Sequence, residues 1–360
     1  MDLRKLVGLL LLVFISLLEM LLKKIAVSVL SFVGFSDSQR SPSNSREMQR
    51  VVSSPRIRLK DGRWLAYRER GVPMDKSLHR IILVHGINSS KDKDFLATQE
   101  ILEEMRIYML QFDRAGYGES DINPKRSLES EACDIEEVAD QLQIGSKFYL
   151  ISVSAGSYPA WNCLRRIPHR LSGVAFVVPI INYKWNSLPH DLIKNDHNNK
   201  LWRLVIWLAR YAPGLLYSFF TQKSNNVFSG NSALLSKKDR EVAKNANRSE
   251  VFDPKLYPKQ SDFESLLQDF TLAYGKWDFD PLELGNPFPD EKESSVHIWQ
   301  GYEDNIVPCR LQRYVSKRLP WIHYHEVSDG GHALWHVGPI GEAILRSLLL
   351  REQDTTPQSA

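Results

Sequence analysis

The chain predicts an α/β fold: a mainly parallel sheet with helices on both faces and a helical insertion between sheet units. Three observations predict it. Short apolar runs rich in Ile and Val alternate with helical patterns over residues 80–178, as βαβ units around a sheet buried on both faces should. The alternation stops after Pro179, and residues 182–281 are instead rich in Trp, Tyr, Phe and Leu at helical spacing. It returns over residues 296–350.

The elements follow in order. Residues 57–60 and 64–68 flank Asp61-Gly62, a dipeptide suited to a tight hairpin turn. Strands are expected at 80–84, 108–112, 148–151 and 173–178, and helices at 95–105, 128–142 and 158–166. Within the insertion, 201–209 is one helix candidate, and Phe263, Leu266, Leu267 and Phe270 mark the apolar face of another. Beyond it, 296–299 and 324–327 read as strands, and 311–318 and 340–350 as helices. The core is therefore expected over 56–181 and 282–350, the insertion over 182–281, and a disordered tail over 351–360. No internal repeat is visible.

The N-terminus differs in kind. Residues 6–22 are almost wholly apolar, broken by Glu19; Lys23 and Lys24 follow, then a second apolar stretch over 25–35. A helix needs about 20 apolar residues to cross a bilayer. A signal peptide fits the basic start at Arg4 and Lys5, but no clear small-residue cleavage site follows. A transmembrane anchor fits the length, with the lysines snorkelling toward headgroups. An interfacial segment fits the interruption by charge. Residues 1–35 are expected to be retained as a membrane anchor, single-pass or monotopic. The heavier positive flank on its C-terminal side, Lys23, Lys24, Arg40, Arg46 and Arg50, places the following domain in the cytosol. Residues 36–55, with Ser36, Ser38, Ser41, Ser43 and Ser45 and no apolar period, are expected to be a flexible linker.

Composition excludes several classes. With 43% apolar and 25% charged residues the chain can bury a real core. A net charge of +3 and the lack of a dense basic stripe argue against nucleic acid as partner. Three cysteines, Cys133, Cys163 and Cys309, form neither a disulfide framework nor a metal-ligand set.

Chemistry concentrates at strand ends. Ser152-Val153-Ser154-Ala155-Gly156 lies between a strand and a helix pattern. A serine hydroxyl is a weak nucleophile and must be lifted clear of the backbone, where a base can reach it. A sharp strand-to-helix turn does this, and small residues two before and two after the serine leave it room. Ser152 stands where glycine is usual, and either fits the turn or alters it. The helix start aims the Ala155 N–H at the reacting centre, where it suits an oxyanion.

Two neighbouring signals add weight. Val84-His85-Gly86-Ile87 closes one strand, and Asp113-Arg114-Ala115-Gly116-Tyr117-Gly118-Glu119-Ser120 closes the next. In this order and spacing the motifs resemble the α/β-hydrolase superfamily over residues 56–350. The resemblance implies the α/β-hydrolase fold with a helical lid, and a second oxyanion donor at the Ile87 N–H. It leaves His85 and Asp113 with structural roles. It implies the chain order nucleophile, acid, histidine. Asp304, in Gly301-Tyr302-Glu303-Asp304 after a strand, matches the acid, with Glu303 as the alternative. The other acid position, after the strand at 173–178, is empty: no Asp or Glu occurs between Ser172 and Asn186. His332, after Gly330-Gly331, matches the base; the two glycines allow a tight turn. The segment 271–284 looks like the end of the lid in a plant branch whose members carry an N-terminal hydrophobic segment.

The resemblance implies a serine hydrolase of carboxylesterase or lipase type. Ser154, His332 and Asp304 would cleave a small-molecule ester or lipid through an acyl-enzyme, with no cofactor. An acyltransferase or thioesterase on the same residues is the alternative chemistry. A noncatalytic binding protein is the alternative class. His332 and His336 are four apart, but Ala333 stands where a zinc protease needs Glu, so no metal is expected. Trp185, Trp202, Trp207 and Trp277 either line an acyl pocket or pack the insertion on the core.

Overall fold

The structure is a computed structural model of the chain; it describes residues 53–87, 89–92, 97–194, 196–212, 235–245, 260–289 and 294–350. The expected anchor, the linker up to residue 52 and the tail lie outside these residues. The last linker residues are not free. Ser53 donates from its N–H and Oγ to Glu119 Oε1 at 2.9 and 3.2 Å, and Tyr67 N–H donates to Pro55 O at 3.0 Å. Among the described residues no helix is long and apolar enough to cross a membrane.

Eight strands form one sheet: β1 (Arg56–Arg58), β2 (Trp64–Gly71), β3 (His79–Val84), β4 (Ile107–Phe112), β5 (Phe148–Val153), β6 (Leu171–Val177), β7 (Val296–Gly301) and β8 (Ile322–Val327). Their order is β1-β2-β4-β3-β5-β6-β7-β8. β1 pairs antiparallel with β2 through the Asp61-Gly62 turn, with Ile57 opposite Leu65. β2 pairs antiparallel with β4. The other neighbours are parallel.

The apolar runs are explained by burial on both faces. Ile82, Val84, Leu110, Leu150, Phe176 and Ile298 point into one core cluster. Their alternating neighbours Ile81, Leu83, Met109, Ile151, Ala175 and Trp299 point into a second. α2 (Leu128–Gln141), α3 (Ser157–Arg166) and α8 (Cys309–Arg318) supply side chains to the first cluster. α1 (Gln99–Glu104) and α9 (Gly338–Leu349) supply them to the second. Sequence patterns place these helices to within about two residues, except α1. It begins at Gln99 because Thr98 caps it, its hydroxyl accepting from Ile101 N–H. α2 begins with a reciprocal cap in which Ser130 does the work usual for Glu: Ser127 Oγ accepts from Ser130 N–H, and Ser130 Oγ accepts from Ser127 N–H.

The insertion between β6 and β7 contains α4 (His190–Lys194), α5 (His197–Tyr211), α6 (Lys237–Asn245) and α7 (Gln260–Ala273). Three of the four tryptophans pack it on the core. Trp185 lies edge-on to Trp161 and Trp277, with ring centroids 6.2 and 5.5 Å away, and Trp202 stacks on Tyr274 at 5.1 Å. Trp207 does neither; it is 55% exposed on the outer side of α5.

Candidate active site

The strand ends at one edge of the sheet carry the motifs, as parallel sheets place ligand-binding loops at their carboxyl ends. β5 ends at Val153, and Ser154–Gly156 forms a single 3₁₀ turn that runs into α3. Ser154 has φ +50°, the left-handed region that costs a non-glycine residue roughly 1–2 kcal/mol. That conformation turns its side chain out of the sheet. Gly156 is required by close approach: a Cβ there would sit 2.4 Å from Val84 O. Ser152 fits without distorting the strand. It is fully buried and pairs in register with Val84 and Phe176. Its hydroxyl has no hydrogen-bond partner among the described residues, a modest cost where glycine would have none.

Three distant side chains meet here. His332 Nε2 lies 2.9 Å from Ser154 Oγ, and His332 Nδ1 lies 2.8 Å from Asp304 Oδ2. Asp304 is buried and fully engaged: Gln300 Nε2 also donates to Oδ2 at 2.8 Å, and the Ile306 and Val307 N–H groups donate to Oδ1 at 2.8 and 2.9 Å. Asp304, not Glu303, is the carboxylate bonded to His332; the Glu303 N–H donates to Gly330 O at 2.9 Å. Burial alone would push the His332 imidazole down; the Asp304 carboxylate, by charge and hydrogen bond, and then Asp239 lift it above its ordinary value. A hydroxyl bonded to an imidazole that a carboxylate holds in one tautomer is an arrangement in which serine loses its proton as it attacks.

One sequence expectation needs adjusting. Gly330 and Gly331 do not adopt positive φ. Gly331 is needed for close approach to α6, not for a special turn. At the turn after β3, an added Cβ on Gly86 would lie 3.1 Å from Ser154 Cβ and 3.8 Å from Ala155 N. The His85-Gly86-Ile87 backbone, half-buried at Ile87, thus lies against the serine turn, as an oxyanion role for Ile87 and Ala155 requires.

His85 and Asp113 are structural in this geometry. His85 Nε2 accepts from Arg114 N–H at 3.0 Å, so the ring carries its proton on Nδ1, which donates to Gly86 O at 2.8 Å. Burial, then the Arg114 charge, pushes this imidazole down to about 3, so it stays neutral. Asp113 accepts from the Lys91 and Glu119 N–H groups at 2.7 and 2.9 Å.

Sequence reasoning missed how the insertion is held. Arg114 donates to His85 O (3.0 Å) and Gly86 O (3.2 Å), and binds both oxygens of Asp269 on α7 at 2.8 and 2.7 Å. Arg126 binds the same carboxylate at 2.8 Å, Tyr158 OH donates to it at 2.7 Å, and Tyr117 OH donates to it as well. Glu131 bonds both guanidinium groups. Two arginines and two acids, all buried, thus join α7 to the turn beside Ser154. The only sequence signal was Arg114 itself, inside a recognised motif; nothing paired it with residue 269.

Comparison with known proteins agrees with this fold. A family model described as alpha/beta hydrolase fold matches residues 79–339, and the chain belongs to that family. An α/β hydrolase enzyme from a Medee basin deep-sea metagenome library shares the fold at TM-score 0.57, with 15% identity over 85% of this chain and 99% of that one. A thermophilic esterase from Thermogutta terrifontis shares it at 0.52, with 18% identity over 82% and 97%. An esterase from Exiguobacterium antarcticum shares it at 0.55, with 15% identity over 82% and 98%. At such identities the likeness is one of fold. No curated protein matches the chain by sequence.

Proposed function

We propose that the protein is a serine hydrolase that cleaves carboxylic esters through an acyl-enzyme. The observation that carries the reading is the unbroken hydrogen-bonded line Ser154–His332–Asp304, with the serine on a strained turn at a strand end. Ser154 Oγ attacks the ester carbonyl as His332 Nε2 takes its proton. The Ala155 and Ile87 N–H groups receive the developing oxyanion. His332 then returns the proton to the departing alcohol, and water repeats the sequence on the acyl-enzyme. Asp304 holds the ring tautomer and stabilises the imidazolium. The test is product analysis with short aryl esters. Equal release of acid and alcohol after an initial burst of alcohol supports the reading; no turnover of any aryl ester by folded protein opposes it.

The pH profile follows from His332. Attack needs the neutral ring, and Asp304 lifts the ring above its ordinary value despite burial. Activity should therefore rise with pH, with half-maximal kcat/KM above about 6.5. A limb at or below that value contradicts the charge coupling.

The reading extends to a membrane-associated enzyme whose catalytic unit faces the cytosol. The apolar N-terminal stretch supports it, as does the resemblance of residues 271–284 to plant members with such a segment. So does one face of α5. Lys200, Arg203, Leu204, Trp207, Arg210 and Tyr211 recur at helical spacing and are all exposed, with no acid among them. Cations beside Leu, Trp and Tyr suit the headgroup boundary of an anionic bilayer, and hence an ester or lipid substrate with an apolar acyl part. Trp207→Ala with Leu204→Ala should lower turnover of a vesicle-borne ester roughly fivefold to tenfold and leave a soluble aryl ester unaffected. Equal rates on both substrates would remove this face from the proposal.

A further inference from the structure

Asp239, on the insertion, bonds the backbone of the His332 loop. Ser236-Lys237-Lys238-Asp239 has the spacing of a capping box. It behaves as one at the start of α6. Asp239 Oδ2 accepts from Ser236 N–H at 3.0 Å and Oγ at 2.8 Å, and Asp239 N–H donates to Ser236 Oγ at 3.0 Å. A capping acid on a surface helix would turn its second oxygen to water. Asp239 is only 2% exposed, and its Oδ1 instead accepts from the Ala333 N–H at 2.7 Å. Ala333 follows His332 directly. On the other side, a Cβ on Gly331 would lie 2.3 Å from Asp239 Oδ1 and 2.5 Å from Ser236 Oγ. The residues flanking the histidine therefore close around this one carboxylate.

We propose that Asp239 is a positioning residue for His332: it fixes the loop through the Ala333 N–H and places a second negative charge beside the ring. The proposal rests on the serine-hydrolase reading. Among the described residues, the other nearby groups do not supply that charge. From the β7–α8 loop, Asp304 binds the ring directly, while Glu303 lies half-buried with its N–H on Gly330 O. Tyr183 and Tyr274 are raised by burial and lie within the field of Asp304. On the loop itself Asp329 is exposed, and on α6 Arg240 donates to Leu235 O at 2.9 Å. The ring thus feels the charge of two buried carboxylates from different parts of the chain, Asp304 on the core and Asp239 on the insertion. The machinery is incomplete unless the insertion is docked.

The test uses the full chain, aryl-ester kinetics across pH, and melting temperature. Asp239→Ala leaves the Ala333 N–H buried without its acceptor, and should lower kcat about 10- to 100-fold with KM within about twofold. Asp239→Asn keeps an acceptor for that N–H but removes the charge. It should recover most of kcat and move the acid limb to lower pH, because the ring loses one of the two charges that raise it. Ser236→Ala, which damages only the cap, should lower the melting temperature and leave the limb in place. Wild-type kcat in Asp239→Ala overturns the inference. So does equal loss in Ala and Asn variants with an unmoved limb, or a limb shifted equally by Ser236→Ala. Ser154→Ala, assayed alongside, separates the two levels. Activity surviving in it defeats the hydrolase reading. A dead Ser154→Ala beside a fully active Asp239→Ala defeats only the role of Asp239.

Discussion

Ser154→Ala should lower aryl-ester hydrolysis on the order of 10⁴–10⁶-fold, while the protein folds and melts much as the wild type does. The two halves of this expectation have different causes. The hydroxyl is the atom that bonds to the substrate, so its loss cannot be offset by the oxyanion donors, which contribute about 10²–10³ each. Its loss removes one hydrogen bond, to His332 Nε2, worth about 0.5–1.5 kcal/mol. Ala keeps the same Cβ, so the left-handed strain at φ +50° is unchanged. A large drop in melting temperature would mean that the activity loss reports unfolding. Near-wild-type turnover would mean another nucleophile.

Asp269→Ala should have the largest effect on stability. The carboxylate is fully buried and receives bonds from Arg114, Arg126, Tyr117 and Tyr158. Removing it leaves two guanidinium groups with only Glu131 between them. Breaking a buried ion pair from one side costs about 3–5 kcal/mol. In a domain of this size that lowers the melting temperature by roughly 6–15 °C. Activity should fall with it, because Arg114 also holds the His85 and Gly86 carbonyls beside Ser154. The pH dependence has a definite sign. Burial would raise the Asp269 carboxyl, but the charges of Arg114 and Arg126 outweigh it and hold the group far below the usual carboxylate range. A carboxyl depressed on folding contributes stability above its unfolded value and loses it only as pH falls through the folded one. This contribution should therefore persist through mild acid. Calorimetry of wild type and Asp269→Ala from pH 7 to pH 4 checks it; a difference that vanishes by pH 5 contradicts it.

The sheet was legible because strands buried on both faces are continuous apolar runs, and each predicted run overlaps a strand of the sheet, with only 57–60 and 173–178 overrunning their strand ends. Ser154, Asp304 and His332 were legible through the family resemblance, which gave their order along the chain and left Glu303 as an alternative acid; each ends or follows a strand, and parallel strands bring those ends together. What escaped the sequence was partnership. Asp269 is 155 positions from Arg114, and Asp239 is 94 from Ala333; periodicity assigns a residue to a face, not to a partner. The tryptophans show the same limit. Trp202 and Trp207 looked alike in composition, yet five helical residues separate them by about 140° around the axis. One is therefore buried against Tyr274 and the other faces outward. The start of α1 was misjudged for a local reason: helix-forming residues precede Thr98, but its hydroxyl ends the non-helical chain there.

A fluorophosphonate probe tests the nucleophile most directly. Incubation with the folded full-length chain, followed by proteolysis and mass spectrometry, should give one adduct, on the serine at 154. That adduct should disappear in Ser154→Ala and form more slowly in His332→Ala. An adduct on a different residue, or none at all on folded protein, would contradict a hydroxyl activated by the imidazole of residue 332.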